Sequence, residues 1–219
     1  MRRGLLGFTF LAGLILASPA WAAESPRLIS YPTDDGGTIQ GDLYGSGDRS
    51  VVLAHGAVFN KESWGDQAKV LVREGFRVLA IDFRGYGRSV GPDARALDED
   101  ILGAIRYLKS QGATSVSVIG ASLGANAAAL AAIRSPKGDI DCLILLAPPG
   151  VPRASEIKAE RIAFIVSRGD ENYRGVVAAF EKAPEPKTLD VLDGGDHAQH
   201  IFRSAEGEKL MSLIIGALR

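Results

Sequence analysis

From about Arg27 onward, short β-rich runs alternate with segments of helical periodicity. Such alternation implies parallel βαβ units, with helices crossing between strands of one sheet. Arg27–Thr33 and Thr38–Tyr44 read as a hairpin around Asp34-Asp35-Gly36-Gly37. Further strands are expected at Ser50–Ala54, Phe76–Asp82, Ser115–Ile119, Asp141–Ala147, Arg161–Ser167 and Lys187–Leu192. Helices are expected at Ser63–Glu74, Asp98–Ser110, Leu123–Arg134, Tyr173–Lys182 and Ala205–Leu218. Ser63 and Asp66 stand in cap positions of the first helix, and Gly75 stops it. The central strands are unbroken apolar runs, as a sheet covered on both faces requires. Pro148 to Glu160 joins two strands in about a dozen residues. That leaves no room for a cap domain, and no repeat or linker interrupts the pattern. The expected fold class is α/β: a mostly parallel central sheet, helices on both faces, an N-terminal antiparallel hairpin, and one domain over 23–219.

Residues 1–22 read differently. Arg2 and Arg3 precede an apolar stretch of 14 residues from Gly4 to Ala17, and Ala20-Trp21-Ala22 has the small-x-small pattern of a cleavage site. This is the pattern of a secretory signal peptide. A membrane span needs about 20 apolar residues, so stable membrane insertion after cleavage is not expected. Export to the periplasm or the medium is expected, with cleavage near Ala22. Removing two arginines would take the net charge from −1 to −3.

Composition narrows the function classes. With 46% hydrophobic residues and a net charge of −1, the chain is neither disordered nor shaped for nucleic acid. The single cysteine, Cys142, lies in the apolar run Cys142-Leu143-Ile144-Leu145-Leu146 and reads as a core residue. One cysteine excludes a disulfide framework and a multi-cysteine metal site.

The pattern Gly-x-Ser-x-Gly occurs at Gly120-Ala121-Ser122-Leu123-Gly124 and at Gly87-Arg88-Ser89-Val90-Gly91. Context separates the two, because a nucleophile elbow must link a strand to a helix. Ser122 follows the strand beginning at Ser115 and precedes the helix Leu123–Arg134. Its flanking glycines permit the tight turn, and the helix N-terminus aims backbone N–H groups at a developing oxyanion. Ser89 has no strand directly before it, and Pro92 follows; its segment reads as a glycine-rich loop.

On these residues the chain resembles the α/β-hydrolase superfamily over nearly all of 23–219. Leu53-Ala54-His55-Gly56, followed by Ala57, looks like the His-Gly segment that supplies an oxyanion donor in that family. Asp82-Phe83-Arg84-Gly85-Tyr86-Gly87-Arg88-Ser89 is similar to its loop after the fourth strand. The absent cap makes it look like the small lidless members, dienelactone-hydrolase-like or carboxylesterase-like. It departs from true dienelactone hydrolases, whose nucleophile is Cys, and from epoxide hydrolases and haloalkane dehalogenases, which place Asp at the elbow.

The resemblance implies the chain order Ser…Asp…His. His197 and His200 both follow the last strand. His197, in the loop Asp193-Gly194-Gly195-Asp196-His197, is the expected base, and His200 a neighbour of the site or a surface group. His55 is expected to shape the oxyanion loop. Asp170, after the strand Arg161–Ser167, is the expected acid, with Glu171 and Asp196 as alternatives. Helix capping is its other reading. Asp82 is expected to hold its glycine-rich loop. Backbone N–H groups of Ala57 and Leu123 would form the oxyanion hole. A metal site of His197, His200 and Asp196 is the rival arrangement.

The expected function is an exported serine hydrolase, with carboxylic-ester hydrolysis through an acyl-enzyme on Ser122. It would act on a small-molecule ester or related acyl substrate, with no metal or organic cofactor and no nucleic-acid partner. The alternatives are a thioesterase, peptidase or peracid-forming activity of the same triad, and a non-catalytic binding protein on the same scaffold.

Overall fold

The computed structural model describes residues 25–219; the expected signal peptide lies outside them. Eight strands form one sheet: β1 (Arg27–Pro32), β2 (Thr38–Tyr44), β3 (Arg49–Ala54), β4 (Arg77–Ile81), β5 (Ser115–Ala121), β6 (Cys142–Leu146), β7 (Arg161–Ser167) and β8 (Lys187–Leu192). Five helices accompany them: α1 (Gly65–Arg73), α2 (Leu97–Ser110), α3 (Leu123–Arg134), α4 (Tyr173–Lys182) and α5 (Gly207–Leu218). The strand order is β1-β2-β4-β3-β5-β6-β7-β8. β2 runs antiparallel to β1 and β4, and every other pairing is parallel.

The order explains the layers. From β3 the chain steps one way to β4, then returns past β3 to β5 and continues through β6, β7 and β8. Right-handed crossovers taken in opposite directions fall on opposite faces. So α1 lies on one face and α2, α3 and α4 on the other, where α2 packs against α3. β6, and all but the first residue of β3, β5 and β7, are buried on successive residues, which is why they read as unbroken apolar runs. The reversal of direction falls between β3 and β5. A crevice opens there, at the carboxyl ends of the strands, because the two following loops part to opposite faces.

One expectation changes at the start of α1. Asn60, not Ser63 or Asp66, supplies the cap: its side-chain oxygen accepts from Ser63 N–H at 3.3 Å, at the head of a short 3-10 turn, Lys61–Trp64, that leads into α1. The turn exists because the chain leaving β3 must double back over the sheet before a full helix can begin. Asp82, expected to hold its own glycine-rich loop, grips the loop after β3 instead. Its carboxylate accepts from Lys61 N–H at 2.8 Å and pairs with Lys61 Nζ at 3.2 Å, which pins the loop after β3. Cys142 is buried, and burial pushes its thiol up to about 12, as suits a core residue.

Arg84 ties the hairpin to the rest of the fold. Its Nε donates to Asp100 Oδ1 of α2 at 2.8 Å, and Nη1 donates to Asp35 Oδ2 in the hairpin turn at 2.5 Å. The arginine's hydrogen bond holds Asp35 well below the usual carboxylate range, while burial pushes Asp100 up. Asp100 is fully buried, so removing its cation strands a carboxylate in the core. Arg84→Ala should therefore cost about 3–5 kcal/mol of stability. Asp35→Ala, which leaves the inner pair intact, should cost less. Urea melts of the two variants decide it; equal shifts would refute the latch.

Candidate active site

Three loops at the carboxyl edge of the sheet bring the site together. The first is the turn from β5 into α3. Ser122 sits there with φ 51 and ψ −112, a left-handed conformation that ordinary side chains avoid. The turn is tight enough that its glycines have no room for a side chain. A Cβ on Gly120 would strike the Gly124 carbonyl, and a Cβ on Gly124 would strike the Ala54 carbonyl of β3. Ser122 N–H donates to Leu146 O at 2.8 Å, which anchors the strained residue to β6.

The second and third loops follow β7 and β8, neighbours in the sheet. Gly169 N–H donates to Gly194 O at 2.8 Å, and Ser167 Oγ donates to Asp196 O at 2.7 Å, so the two loops are stitched together. The Asp170 side chain is fully buried; Oδ1 accepts from Asn172 N–H at 2.8 Å and Oδ2 from His197 Nδ1–H at 2.8 Å. A carboxylate only accepts, so the proton of His197 lies on Nδ1 and Nε2 is left as an acceptor. Ser122 Oγ lies 2.8 Å from that Nε2. Asp170 does not cap α4: its partner Asn172 precedes the helix, which begins at Tyr173 with no side-chain cap.

The remaining candidates stay out of the relay. Glu171 is exposed, and the Asp196 backbone, not its carboxylate, engages Ser167. His200 is exposed and packs its ring against Phe59, with centroids 5.0 Å apart. Ser89 is buried, and its Oγ accepts from Gln40 N–H at 2.9 Å between the glycine-rich loop and β2. Among the described residues no three His, Cys, Asp or Glu side chains gather closely enough to share a metal ion.

The loop after β3 forms the opposite wall. His55 is fully buried, and burial pushes its imidazole down, toward the neutral form. Its Nδ1–H donates to Gly56 O at 2.8 Å, and Nε2 accepts from Phe83 N–H at 3.3 Å, a pairing that one neutral tautomer satisfies. Phe59 N–H also reaches Gly56 O, at 3.0 Å. With Gly56 O turned inward, a trans peptide must turn Ala57 N–H the other way. Ala57, Val58 and Phe59 line a pocket of about 100 Å³ with Ser122, His197, Ala198, Gln199 and His200. A larger hollow, near 400 Å³, lies at the other edge of the sheet beside Arg49 and Arg161, far from this chemistry.

Two contributors had no sequence signal. Tyr86 OH donates to Ala57 O at 2.8 Å. Gln199 reaches the loop after β3 from the loop after β8, and a lone glutamine in a polar loop says nothing of where it will be buried.

The family described as the alpha/beta hydrolase family matches residues 51–205. The bifunctional esterase/perhydrolase DCH of Acinetobacter calcoaceticus is 33% identical over 124 residues, 53% of this chain and 44% of that protein. The chain spans about half the length of such curated relatives, 44% and 51% for two of them. An esterase of Pyrococcus furiosus superposes with a TM-score of 0.74 at 20% identity, over 88% of this chain and 90% of that one. A dienelactone hydrolase of Anabaena variabilis superposes with a TM-score of 0.73 at 20% identity, over 89% and 97%. At such identities the structural likeness is one of fold.

Proposed function

The chain belongs to the alpha/beta hydrolase family, and from that premise we propose that it is an exported serine hydrolase that cleaves small carboxylic esters. The observation that carries this reading is the relay Ser122 Oγ–His197 Nε2 and His197 Nδ1–Asp170 Oδ2, each 2.8 Å long. A serine hydroxyl is a weak nucleophile until a positioned base takes its proton. Here Nε2 takes the proton as Oγ attacks the acyl carbon. The buried Asp170 holds the imidazole in the required tautomer and stabilises the imidazolium. His197 then passes the proton to the departing alcohol. Water repeats the sequence on the acyl-enzyme and frees the acid.

Charge that develops on the carbonyl oxygen needs donors already in place. Ala57 N–H is turned away from the core by the inward hold on Gly56 O, and Leu123 N–H opens α3, where helix N–H groups lack intrahelical partners. A pocket of about 100 Å³ favours a short acyl chain. The Acinetobacter relative is named both esterase and perhydrolase, so peracid formation is assayed beside ester and thioester cleavage.

The test is a fluorophosphonate label followed by a panel of p-nitrophenyl esters of graded length. Covalent labelling at Ser122 and preference for short acyl groups are expected. A folded protein that neither labels nor turns over would sink the reading and leave a binding scaffold in its place.

Export rests on the pattern of residues 1–22. Mass spectrometry of the protein from the native host's exported fraction should find a new N-terminus near Ala23. An intact Met1 retained in membranes would refute cleavage.

A further inference from the structure

Gln199 joins two parts of the site that come from opposite ends of the chain. It is buried, at 5% exposure, in the short 3-10 turn Ala198–Arg203 that follows His197. Its Oε1 accepts from Gly56 N–H at 2.7 Å. Its Nε2 donates to Ser63 Oγ at 2.9 Å, and that hydroxyl donates onward to Asn60 O at 2.5 Å. The carboxamide thus bridges both ends of the loop between β3 and α1. Between His197 and Gln199 stands Ala198, in left-handed backbone at φ 48. The turn delivers the imidazole to Ser122 and the carboxamide to Gly56 within three residues.

We propose that Gln199 is a positioning residue: through Gly56 N–H it fixes the Gly56–Ala57 peptide so that Ala57 N–H faces the oxyanion, and it locks that donor in register with His197. The inference rests on the serine-hydrolase reading of this site. Its physical basis is the planarity of successive peptides. Gly56 is gripped on its N–H by Gln199 and on its carbonyl by His55 and Phe59. With both flanking peptide planes held, neither soft backbone angle of Gly56 is free to turn. Glycine would otherwise be the loosest residue in the loop. Tyr86 holds the next peptide through Ala57 O. Without Gln199, one of the two planes loses the side-chain anchor on Gly56 N–H, and the oxyanion donor is free to tilt. An interaction that acts at the developing oxyanion shows in kcat and not in KM.

The experiment compares Gln199→Met and Gln199→Glu with the wild type. Methionine fills similar volume but accepts no hydrogen bond; glutamate keeps the acceptor, and Ser63 Oγ can donate to its second oxygen. Active sites are counted by fluorophosphonate titration, so any unfolded fraction drops out of kcat. Removing an oxyanion donor typically costs about 100- to 1,000-fold, and loosening one should cost less, so Q199M is expected to lose about 10- to 100-fold in kcat. KM should stay within about twofold, and the acid limb of the pH profile should not move. Q199E should recover most of the loss. Several results would overturn the proposal: Q199M turning over like the wild type, equal losses in both variants, a loss confined to KM, or a shifted acid limb. If the wild type itself neither labels nor hydrolyses esters, the serine-hydrolase reading falls, and this proposal with it.

Discussion

Ser122→Ala should reduce ester turnover by about four to six orders of magnitude and leave the fold in place. The range follows from the behaviour of serine triads, whose members act as a unit, so that one deletion costs nearly as much as all. What survives is catalysis by the oxyanion donors and by binding. The fold should persist because alanine keeps the Cβ, so the left-handed backbone at φ 51 is no more strained than before. The turn is held by backbone bonds and glycine contacts, not by the hydroxyl. Ser89→Ala is the control with the opposite profile. It removes the acceptor of Gln40 N–H and should cost about 1–3 kcal/mol of stability. Turnover per folded molecule should be nearly unchanged. Steady-state kinetics with thermal melts separate the two, and an inactive Ser89→Ala with an active Ser122→Ala would mean that the wrong serine has been chosen.

His197→Ala and His200→Ala should differ about as sharply. Loss of the base is expected to lower turnover by at least about four orders of magnitude. It also leaves the Asp170 carboxylate buried without its imidazole partner, so a fall in melting temperature should accompany it. His200 is exposed and lines the pocket beside Phe59 without joining the relay, so His200→Ala should change turnover by less than about tenfold. Wild-type activity should fall on acidification, since an imidazole that already carries the proton cannot take it from Ser122. EDTA should leave the rate as it was. The rival arrangement, a metal held by His197, His200 and Asp196, predicts comparable damage from both histidine substitutions and inactivation by EDTA. That pair of results would replace the mechanism, not merely reassign the base.

The alternation of strands and helices was legible because each element is locally consistent. β2, α3, α4, β7 and β8 begin and end where their patterns do, at Thr38–Tyr44, Leu123–Arg134, Tyr173–Lys182, Arg161–Ser167 and Lys187–Leu192. Ser122 could be separated from Ser89 for the same reason: a strand must precede an elbow and a helix must follow it, and both are local signals. Reading failed where a residue's role depends on a partner far along the chain. Asp82 looked like a support for its own loop and instead grips Lys61. Ser63 looked like a cap, yet Asn60 caps the turn and Ser63 Oγ receives Gln199.

The sequence by itself determined the βαβ architecture, the elbow, and the short set of histidines and carboxylates from which a relay could be drawn. Periodicity, glycine placement and residue chemistry are properties of neighbours in the chain. Only the tertiary structure decided that Asp170, not Glu171, meets His197, and that His197, not His200, meets Ser122. These choices turn on differences of one and three positions in loops without a repeating pattern. What settles them is the parallel register of β7 and β8, the stitching of Gly169 to Gly194, and the left-handed turn at Ala198. Each is a long-range or strained feature, stable only because the surrounding sheet over-determines it, and so none is written in any local stretch of residues.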